Sequence, residues 1–451
     1  MDFVSEANQE LNFSIHSFGC KVNTYDSGLL EQRLKSAGWQ RDAGSGPRVH
    51  VLNTCAVTAE ATKEALRRIR RIKAQDPLSL VVVTGCAAQV DTDQFSDLPG
   101  ADLVVANSHK GDLVDLIRCH YAGTLKQKVF KSNIFKKEDL EAGGGEESHH
   151  TRSFLKIQDG CNSFCTFCVI PFARGKSRSI PIDQLVQRVR ELEGQGVAEV
   201  VLTGVHIGDY FDDSMGQGKG LEDLVEAILR QTRMGRLRLS SLEPIELSSR
   251  LLELYSDPRL CPHFHMSLQS ADTKVLADMK RKYGQPEVER ALTNIAKKVK
   301  GAFVGMDVIA GFPGETDAEF ENTYQALNNL PWTKIHVFPY SVRPGTFAAR
   351  RPELQLPAAV IVQRASRLRQ LSHERYHQEA LNQVGSRKKV LVLRSSRQST
   401  GVQSALARDY WNIQLHSRQG DLPVGEELEV QIQGYHPLGN QRMDSPLMAQ
   451  I

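Results

Sequence analysis

Residues 154–168 read FLKIQDGCNSFCTFC, an apolar run followed at once by Cys161, Cys165 and Cys168. The run predicts a buried strand, and the CxxxCxxC segment predicts a loop at its carboxyl end, where barrel enzymes carry active-site groups. Three thiolates can hold three irons of a 4Fe-4S cluster and leave the fourth iron open to another ligand. A structural zinc site is the alternative, but no nearby Cys or His pair supplies the fourth ligand that zinc requires.

Six strand-like runs follow one another in the part of the chain that begins with this segment. Amphipathic helical patterns separate them, so each run and the helix after it form one βα unit. Six units predict an open or partial (β/α)6 barrel, with the cysteine loop at the carboxyl end of its first strand. The runs are FLKIQ, EVVLTG, RLRLSS, HFHMSLQ, FVGMDVIAG and KIHVFPY.

The two flanks of this barrel have different patterns. On the N-terminal side, the runs FSIHSF, RVHVLN, SLVVVTG and ADLVVAN alternate with helical patterns, which predicts a doubly wound parallel α/β domain. On the C-terminal side, a long helix over 357–383 leads into runs of period two, typical of a small all-β barrel. The predicted fold class is therefore multidomain α/β. The predicted segments are 1–125, the N-terminal α/β domain; 126–152, a linker; 153–355, the barrel core; 356–385, a connecting helix; and 386–451, the β-barrel.

A second set of three cysteines lies on the N-terminal side, where Cys20, Cys55 and Cys86 each close an apolar run. The strands of a parallel sheet end on one edge, so cysteines far apart in sequence can meet in the crevice where such sheets bind ligands. The alternative is that each is an ordinary buried side chain. Convergence would give a second iron site with an open position, suited to sulfur delivery. Cys119 and Cys261 fit neither set and are predicted to be structural.

The totals restrict the class of protein. At 451 residues, with 40% hydrophobic and 24% charged residues, the chain is predicted to form several folded domains. Its start lacks the order of a secretory signal and no apolar run approaches membrane-spanning length, so we predict a cytoplasmic protein with no membrane partner. Eight cysteines in a reducing compartment favour metal binding or catalysis over disulfides.

Positive charge is concentrated in two places, although the net charge is only +3. Residues 63–73 read KEALRRIRRIK, and residues 350–397 hold eleven Lys or Arg against three Asp or Glu. Such an excess can follow RNA phosphates, and Tyr410 and Trp411, predicted to be exposed, suit stacking on single-stranded bases. A solvated helix face is the alternative interpretation of the basic run.

The cysteine loop, with Phe167 just before its last cysteine, resembles the signature of the radical S-adenosylmethionine superfamily. Four further segments match in order: LTGVHIGDY at 202–210, SSLEP at 240–244, SLQS at 267–270 and DVIAGFPGET at 307–316. The resemblance implies that the open iron binds S-adenosylmethionine, which one electron then cleaves to a 5′-deoxyadenosyl radical.

The same resemblance implies which residues bind S-adenosylmethionine. Glu243 would bond the ribose hydroxyls, and the glycine turn at 311–314 would let backbone approach the adenosyl group. An ordinary strand-to-helix turn capped by Glu315 is the alternative for that turn. The implied binding residues are Phe167, Thr203, Gly204, Glu243, Gln269, Asp307, Gly311, Pro313 and Gly314.

The segments GCKVNTYDS, NTCAVT and TGCAAQ, which surround the second cysteine set, resemble the N-terminal domain of the methylthiotransferases. This family joins such a domain to a radical S-adenosylmethionine core and a C-terminal TRAM barrel that binds RNA. The resemblance implies two 4Fe-4S clusters and S-adenosylmethionine as cofactors. The implied metal ligands are Cys20, Cys55 and Cys86 for one cluster and Cys161, Cys165 and Cys168 for the other.

The GCKVN pattern is similar to one branch of this family. That branch adds a methylthio group to carbon 2 of N6-threonylcarbamoyladenosine at position 37, beside the anticodon of tRNA. The branches that act on N6-isopentenyladenosine tRNA or on a ribosomal-protein aspartate are the alternatives.

The resemblance also implies a mechanism and partners. One S-adenosylmethionine methylates a sulfur held at the N-terminal cluster, and a second gives the radical that takes hydrogen from carbon 2 of the adenine. That carbon is not activated towards proton transfer, so an acid or base side chain could not replace the radical. The predicted partners are the tRNA anticodon loop, a reducing electron donor of the flavodoxin or ferredoxin type, and a sulfur source. A non-catalytic RNA-binding redox sensor with one cluster is the rival class.

Overall fold

The structure is a computed structural model that describes residues 11–42, 48–138, 140, 151–394, 402–417, 420–435 and 447–450. The described residues form a parallel sheet in the N-terminal part, two mainly parallel sheets in the middle and a mainly antiparallel sheet in the C-terminal part. The predicted multidomain α/β architecture is confirmed. No helix in these ranges is both long enough and apolar enough to pass through a bilayer.

A six-stranded sheet with parallel neighbours throughout forms the N-terminal part. Its strands are β1 (Asn12–Ser17), β2 (Gln40–Arg41), β3 (Arg48–Thr54), β4 (Leu80–Gly85), β5 (Leu103–Ala106) and β6 (Val129–Phe130). Its helices are α1 (Lys21–Ser36), α2 (Ala59–Gln75), α3 (Cys86–Val90), α4 (Thr92–Ser96) and α5 (Leu113–Tyr121). The strand order is β2-β1-β3-β4-β5-β6, and β4 is buried along its whole length, as a Val-rich strand covered on both faces must be.

The predicted linker, residues 126–152, contributes to this sheet at one end. Its strand β6 pairs with β5 at the sheet edge, and a short 3-10 helix follows at Ile134–Lys136. Residues 139 and 141–150 of that segment, like residues 1–10, lie outside the described part of the chain.

The middle of the chain forms a partial barrel. Its strands are β7 (Arg152–Asp159), β8 (Arg178–Ser179), β9 (Glu199–Gly204), β10 (Leu237–Leu239), β11 (Ser241–Leu242), β12 (His263–Gln269), β13 (Phe303–Ala310) and β14 (Lys334–Pro339). Its helices are α6 (Ile170–Arg174), α7 (Ile182–Gly194), α8 (Leu221–Gln231), α9 (Ser249–Leu254), α10 (Thr273–Asp278), α11 (Gln285–Lys298) and α12 (Asp317–Asn329). The parallel strands β7, β9 and β10 form one group, and β11, β12, β13 and β14 form the other. β10 and β11 are two parts of one strand that breaks at Ser240, so the partial barrel has six parallel strands with helices between them.

A long helix, α13 (Ala358–Leu381), packs on β13 and β14 and leads to the C-terminal sheet. The strands of that sheet are β15 (Arg387–Val392), β16 (Val402–Ala407), β17 (Asn412–His416), β18 (Glu427–Gln431), β19 (Gly434–Tyr435) and β20 (Leu447–Gln450). Its order is β18-β15-β16-β17-β20-β19. Residues 395–401, 418–419, 436–446 and 451 lie outside the described residues, so closure into a TRAM-like barrel stays a prediction.

Tyr410 and Trp411 do not lie on the exposed surface predicted for them. Trp411 is 3% exposed, with its ring centroid 5.2 Å from that of Phe303 and 5.0 Å from that of Tyr376. Tyr410 stacks on His263 with 3.9 Å between ring centroids. Large rings gain more from burial between two packed units than from contact with water, and this pair joins the C-terminal sheet to the barrel. The prediction that both rings are free to stack on RNA bases is wrong.

The basic run of residues 350–397 is partly structural. Arg364 is buried and pairs with Glu315 at 2.7 Å and with Asp317 at 2.6 Å, so it ties α13 to the turn before α12. Lys388 forms a close pair with Asp409 in the C-terminal sheet. Only part of the run is therefore available to a polyanion. Its exposed cations include Arg350, Arg351, Arg369, Arg387 and Lys389.

Candidate active site

The loop between β7 and α6 brings Cys161, Cys165 and Cys168 into one group, the central triad. Main-chain bonds fix this loop, because Cys161 N–H donates to Gly175 O at 3.1 Å and Cys168 N–H donates to Cys165 O at 3.0 Å. Burial, and to a lesser degree the nearby Cys165 and Cys161, raise the pKa of Cys168 to about 12. The three thiols thus lie close enough to interact.

The second set assembles at the carboxyl edge of the N-terminal sheet and is called the N-terminal triad. β1, β3 and β4 are adjacent and parallel, and their pairing registers bring the ends of the three strands level. The cysteines follow close behind, and a Cβ on Gly19 would lie 2.5 Å from Cys55 Sγ. Burial raises the pKa of Cys55 to about 12, with smaller contributions from Cys86 and Cys20. The structure therefore also groups these three thiols.

The environment of the sulfurs argues against the alternative that the three N-terminal cysteines are ordinary buried side chains. Cys20 is exposed, which is not the position of a core side chain. Three of the sulfurs accept a hydrogen bond from the backbone N–H of the residue two positions later in the chain. The N···Sγ distance is 3.5 Å for Cys55 and 3.4 Å for both Cys161 and Cys168. Such N–H···S bonds favour thiolate ligands of iron. A thiol with a raised pKa stays protonated until metal displaces the proton, which fits a ligand better than a free nucleophile.

A buried network of charges joins the N-terminal sheet to the barrel. Lys156 of β7 donates to Asp26 of α1 at 2.7 Å and to Asp159 at 3.1 Å, and Arg174 at the end of α6 pairs with the same two carboxylates. Burial would raise the pKa of Asp26, but its three cationic neighbours outweigh burial and hold the pKa well below its usual value. The network fixes α1, which follows the first cysteine of the N-terminal triad, against the strand that leads to the central triad.

Arg174 also touches the N-terminal triad directly. Its Nε donates to Cys86 Sγ at 3.2 Å, and its Nη2 donates to Asn23 Oδ1 at 2.7 Å. Asn107 lies beside the same sulfur, with its Nδ2 3.7 Å from Cys86 Sγ. Sequence analysis did not identify Arg174, and the available signal was its place six residues after the last cysteine of the CxxxCxxC loop.

Glu243 and Phe167, both predicted to bind S-adenosylmethionine, are linked through Arg281. The Glu243 carboxylate forms a close ion pair with Arg281, whose guanidinium lies 5.9 Å from the centroid of the Phe167 ring. Burial raises the pKa of Glu243, against the opposing effect of Arg281. These side chains stand beside the central triad, because the field of Arg281 also acts on Cys165. Arg281 is another residue that sequence analysis did not name.

His206 is a third residue of this region that sequence analysis missed, although it stands inside the quoted segment LTGVHIGDY. Its Nδ1 lies 3.9 Å from Cys161 Sγ and 3.2 Å from an Asp209 oxygen, and its Nε2 lies 2.5 Å from Glu246 Oε1. Burial would lower the pKa of His206, but its bonds to Asp209, Cys161 and Glu246 raise it well above the usual value. The imidazolium therefore places positive charge beside the central triad.

The remaining predicted residues lie on three strands of the barrel: Thr203, Gly204 and Gln269 at the carboxyl ends of β9 and β12, and Asp307 inside β13. Thr203 is buried at the end of β9, and a Cβ on Gly204 would lie 3.0 Å from Gln158 O. Gln269 takes a positive φ of 68° at an irregularity in the pairing of β12 with β13. Asp307 of β13 pairs with His265 at 3.0 Å.

The glycine turn after β13 makes its closest approach to α13. Gly311 has a φ of 77°, and a Cβ there would lie 2.7 Å from Ile361 Cγ1. Its N–H donates to Glu315 Oε2 at 3.1 Å, which is the bond expected of a turn capped by that carboxylate. Gly314, which follows Pro313, also needs a positive φ, of 82°. Packing alone therefore accounts for glycine at 311.

These features define the class of protein. A partial barrel of parallel strands with a CxxxCxxC loop after its first strand is the architecture of a radical S-adenosylmethionine enzyme. Residues 155–327 match the radical SAM superfamily, and residues 12–106 match an uncharacterized protein family, UPF0004. Membership of the superfamily implies a 4Fe-4S cluster and S-adenosylmethionine as cofactors. The three grouped thiols of the central triad, two of which accept backbone N–H bonds, fit the cluster.

Known proteins narrow the class. The threonylcarbamoyladenosine tRNA methylthiotransferase MtaB of Aquifex aeolicus is 33% identical over 94% of this chain and 100% of its own length. A tRNA-2-methylthio-N(6)-dimethylallyladenosine synthase of Corynebacterium jeikeium is 31% identical over 93% of this chain and 84% of its own. The chain belongs to the methylthiotransferase family, in its MtaB-like branch.

A solved structure shares the fold. The radical S-adenosylmethionine methyltransferase TsrM of Kitasatospora setae, with cobalamin and a [4Fe-4S] cluster bound, superposes with a TM-score of 0.56. The two sequences are 15% identical, and the superposition covers 80% of this chain and 85% of the TsrM chain. At that identity the likeness concerns the fold alone.

Proposed function

We propose that this protein adds a methylthio group to carbon 2 of N6-threonylcarbamoyladenosine at position 37 of tRNA. The full-length match to MtaB of Aquifex aeolicus supports this substrate. The observation that carries the proposal is the pairing of two triads. Three thiols lie at the carboxyl edge of the N-terminal sheet, three more lie in the first loop of the barrel, and one buried network joins them.

Each triad is proposed to hold a 4Fe-4S cluster with one open iron. When bound, these groups would supply the electron that cleaves S-adenosylmethionine to a radical and a site that holds sulfur for transfer. The chain itself supplies placement. Glu243, fixed by Arg281 beside the central triad, is the carboxylate proposed to accept bonds from the ribose hydroxyls. The other proposed S-adenosylmethionine contacts lie on β9, β12 and β13 of the barrel or in the turn after β13.

The proximity of the N-terminal triad to the barrel interior supports transfer between the two sites. α1, whose first residue directly follows Cys20, packs against β7 and β9 of the barrel. That residue, Lys21, has a pKa lowered by burial, and Tyr410 and Asp307 oppose the shift. The N-terminal end of α1 therefore lies within electrostatic reach of Asp307 on β13.

RNA binding is proposed for the exposed cations around α13 and the C-terminal sheet, which we propose to be TRAM-like. Arg369, Arg387 and Lys389 are exposed and can contact phosphates. Changing Arg387 and Lys389 to Glu is expected to weaken tRNA binding and to lower the slope of log affinity against log salt by about one for each lost contact. An unchanged slope would remove this part of the surface from the proposal.

An electron donor of the flavodoxin or ferredoxin type and a sulfur source are the other proposed partners. Radical formation needs one electron at the central cluster, and each product needs one new sulfur atom. Neither can come from the side chains in a repeated reaction, so both must be delivered to the protein.

The direct test is to delete the gene and to measure tRNA nucleosides by liquid chromatography and mass spectrometry. We expect 2-methylthio-N6-threonylcarbamoyladenosine to disappear and N6-threonylcarbamoyladenosine to accumulate. Reintroduction of the gene should restore the product, and the Cys20→Ala and Cys161→Ala variants should not.

Other outcomes point to the related activities. Loss of the methylthio form of N6-isopentenyladenosine would favour the activity named for the Corynebacterium jeikeium relative. Loss of a methylthio group from a ribosomal-protein aspartate, with tRNA unchanged, would favour the protein-modifying branch. Failure of the reduced, reconstituted protein to form 5′-deoxyadenosine would favour a redox sensor and contradict the proposal.

A further inference from the structure

Each triad has an arginine nearby, but the two arginines act on different atoms. At the central triad, Arg281 pairs with Glu243 and stacks over Phe167. At the N-terminal triad, Arg174 donates from Nε to Cys86 Sγ at 3.2 Å. Arg174 is thus a cation bonded to a proposed ligand atom, and it comes from the other domain.

The Arg174 guanidinium has one defined orientation. The side chain is 3% exposed. Its Nη1 donates to both oxygens of Asp159, at 2.9 and 3.1 Å, and its Nη2 donates to Asn23 at 2.7 Å and to Asp26 at 3.0 Å. The acceptors of Nη1 and Nη2 fix the planar guanidinium group, and its Nε–H therefore remains directed at Cys86.

Lys156 provides an internal comparison. It is as deeply buried as Arg174 and donates to the same carboxylates, Asp26 and Asp159. Its bonds go to those carboxylates, whereas Arg174 adds a bond to sulfur. Loss of either cation weakens the same network, but only loss of Arg174 removes the bond to Cys86.

We propose that Arg174 is a positioning residue that holds the Cys86 sulfur and raises the reduction potential of the cluster proposed for the N-terminal triad. The inference rests on the proposed function, because it requires a cluster at that triad. Hydrogen bonds to ligand sulfurs and nearby positive charge stabilise the reduced, more negative form of a cluster. A cluster that also accepts an anionic sulfur ligand gains further negative charge, which a buried guanidinium offsets.

The test uses the full chain with all three central-triad cysteines changed to Ala, so that an observed cluster belongs to the N-terminal triad. After anaerobic reconstitution, iron is counted and the midpoint potential is measured by redox titration followed by electron paramagnetic resonance. In this background, Arg174→Gln is compared with Lys156→Gln, which removes a cation from the same network without touching sulfur. We expect a more negative midpoint and an altered signal for Arg174→Gln, and at most half that shift with an unaltered signal for Lys156→Gln.

Arg174→Lys gives a second measurement if the Gln variant does not fold or bind iron. It keeps the positive charge but cannot bond Asp159, Asn23 and Cys86 through one rigid fork. We expect it to bind iron, with an altered signal and a midpoint more negative than that of the parent.

Equal shifts for Arg174→Gln and Lys156→Gln would overturn the proposal, because they would make the effect one of total charge alone. A Lys variant with the parental midpoint and signal would overturn it too. Absence of any cluster in the background variant would instead overturn the two-cluster function itself. A cluster whose midpoint potential and signal are the same with and without Arg174 would overturn only the proposal for Arg174.

Discussion

The two triads are chemically alike and are built in opposite ways. The central triad spans eight consecutive residues, 161–168, in one loop after one strand. The N-terminal triad spans residues 20–86 and exists only because β1, β3 and β4 lie side by side with their ends level. A local triad depends on the conformation of one loop, whereas a scattered triad depends on a whole sheet and, through Arg174, on a second domain.

The largest expected effect separates the triads by function. With all three cysteines of the central triad changed to Ala, the reconstituted protein should lose half of its iron and all formation of 5′-deoxyadenosine, because S-adenosylmethionine needs the open iron of that cluster. The same change at the N-terminal triad should also remove half of the iron but leave 5′-deoxyadenosine formation in place while abolishing methylthio transfer. Iron counting and chromatography of the anaerobic reaction measure both. Identical losses in the two variants would mean that the triads do not form separate clusters.

A second experiment disrupts the buried network of charges, on which the N-terminal triad depends through Arg174 and the central triad does not. Asp26→Asn removes the carboxylate that Lys110, Lys156 and Arg174 share, so Lys110 loses its ion pair while Lys156 and Arg174 keep their pairs with Asp159. Breaking a buried pair in this way costs about 3–5 kcal/mol. We expect a lower free energy of unfolding in urea and loss of N-terminal iron before central iron. The exposed Asp115→Asn is the control and should change neither quantity.

The contribution of Asp26 to the free energy of unfolding changes with pH in a defined direction. Neighbouring cations hold the pKa of Asp26 below 3.8, the value of an unperturbed Asp, in the folded protein. Its contribution to stability is therefore fully present above pH 3.8 and is lost as the pH falls through the lowered folded pKa. The difference in unfolding free energy between the parent and Asp26→Asn should shrink on acidification. A difference that grows towards acid pH would contradict this assignment.

Two glycines give a matched comparison of smaller effect. Gly19 stands before Cys20 with a φ of 92°, and Gly160 stands before Cys161 with a φ of 77°. Alanine at either site is strained and meets neighbouring atoms, at a cost of about 1–3 kcal/mol. Gly19→Ala should lower iron at the N-terminal triad and spare 5′-deoxyadenosine formation, and Gly160→Ala should do the reverse. If both variants lose the same cluster, the two loops are not independent.

The smallest effect is expected at the cysteines outside the triads. Cys119→Ala, at a half-buried site on α5, should leave iron content unchanged and alter the free energy of unfolding by less than about 0.5 kcal/mol. Cys261→Ala, at a fully buried site, should cost about 1 kcal/mol and also leave iron unchanged. Iron counting and urea unfolding measure these outcomes, and a loss of iron in either variant would disprove the assignment of ligands to the two triads.

Much of the fold was predictable because its signals are local. Apolar runs that alternate with helical patterns predicted the parallel sheets, and strict spacing predicted the cysteine loop. The surroundings of the thiols were not predictable in the same way. Arg281 reaches Glu243, and His206 reaches Cys161, across about forty residues of the barrel, and Arg174 reaches Cys86 in another domain. No periodicity marks a side chain whose partner is so distant in sequence. The exposure of Trp411 was predicted wrongly for the same reason, since its burial depends on Phe303 and Tyr376.

By itself, the sequence determined which residues can form strands, where the CxxxCxxC loop lies, and that three more cysteines end strands of one parallel sheet. The tertiary structure alone decided that those three meet, that Asp26 and Lys156 join the two domains, and that Arg174 donates to Cys86. Strand formation follows from the chain's own periodicity, which any short window of residues contains. The meeting of distant thiols and charges depends on how sheets and domains pack, and that packing balances burial against the cost of removing charges from water.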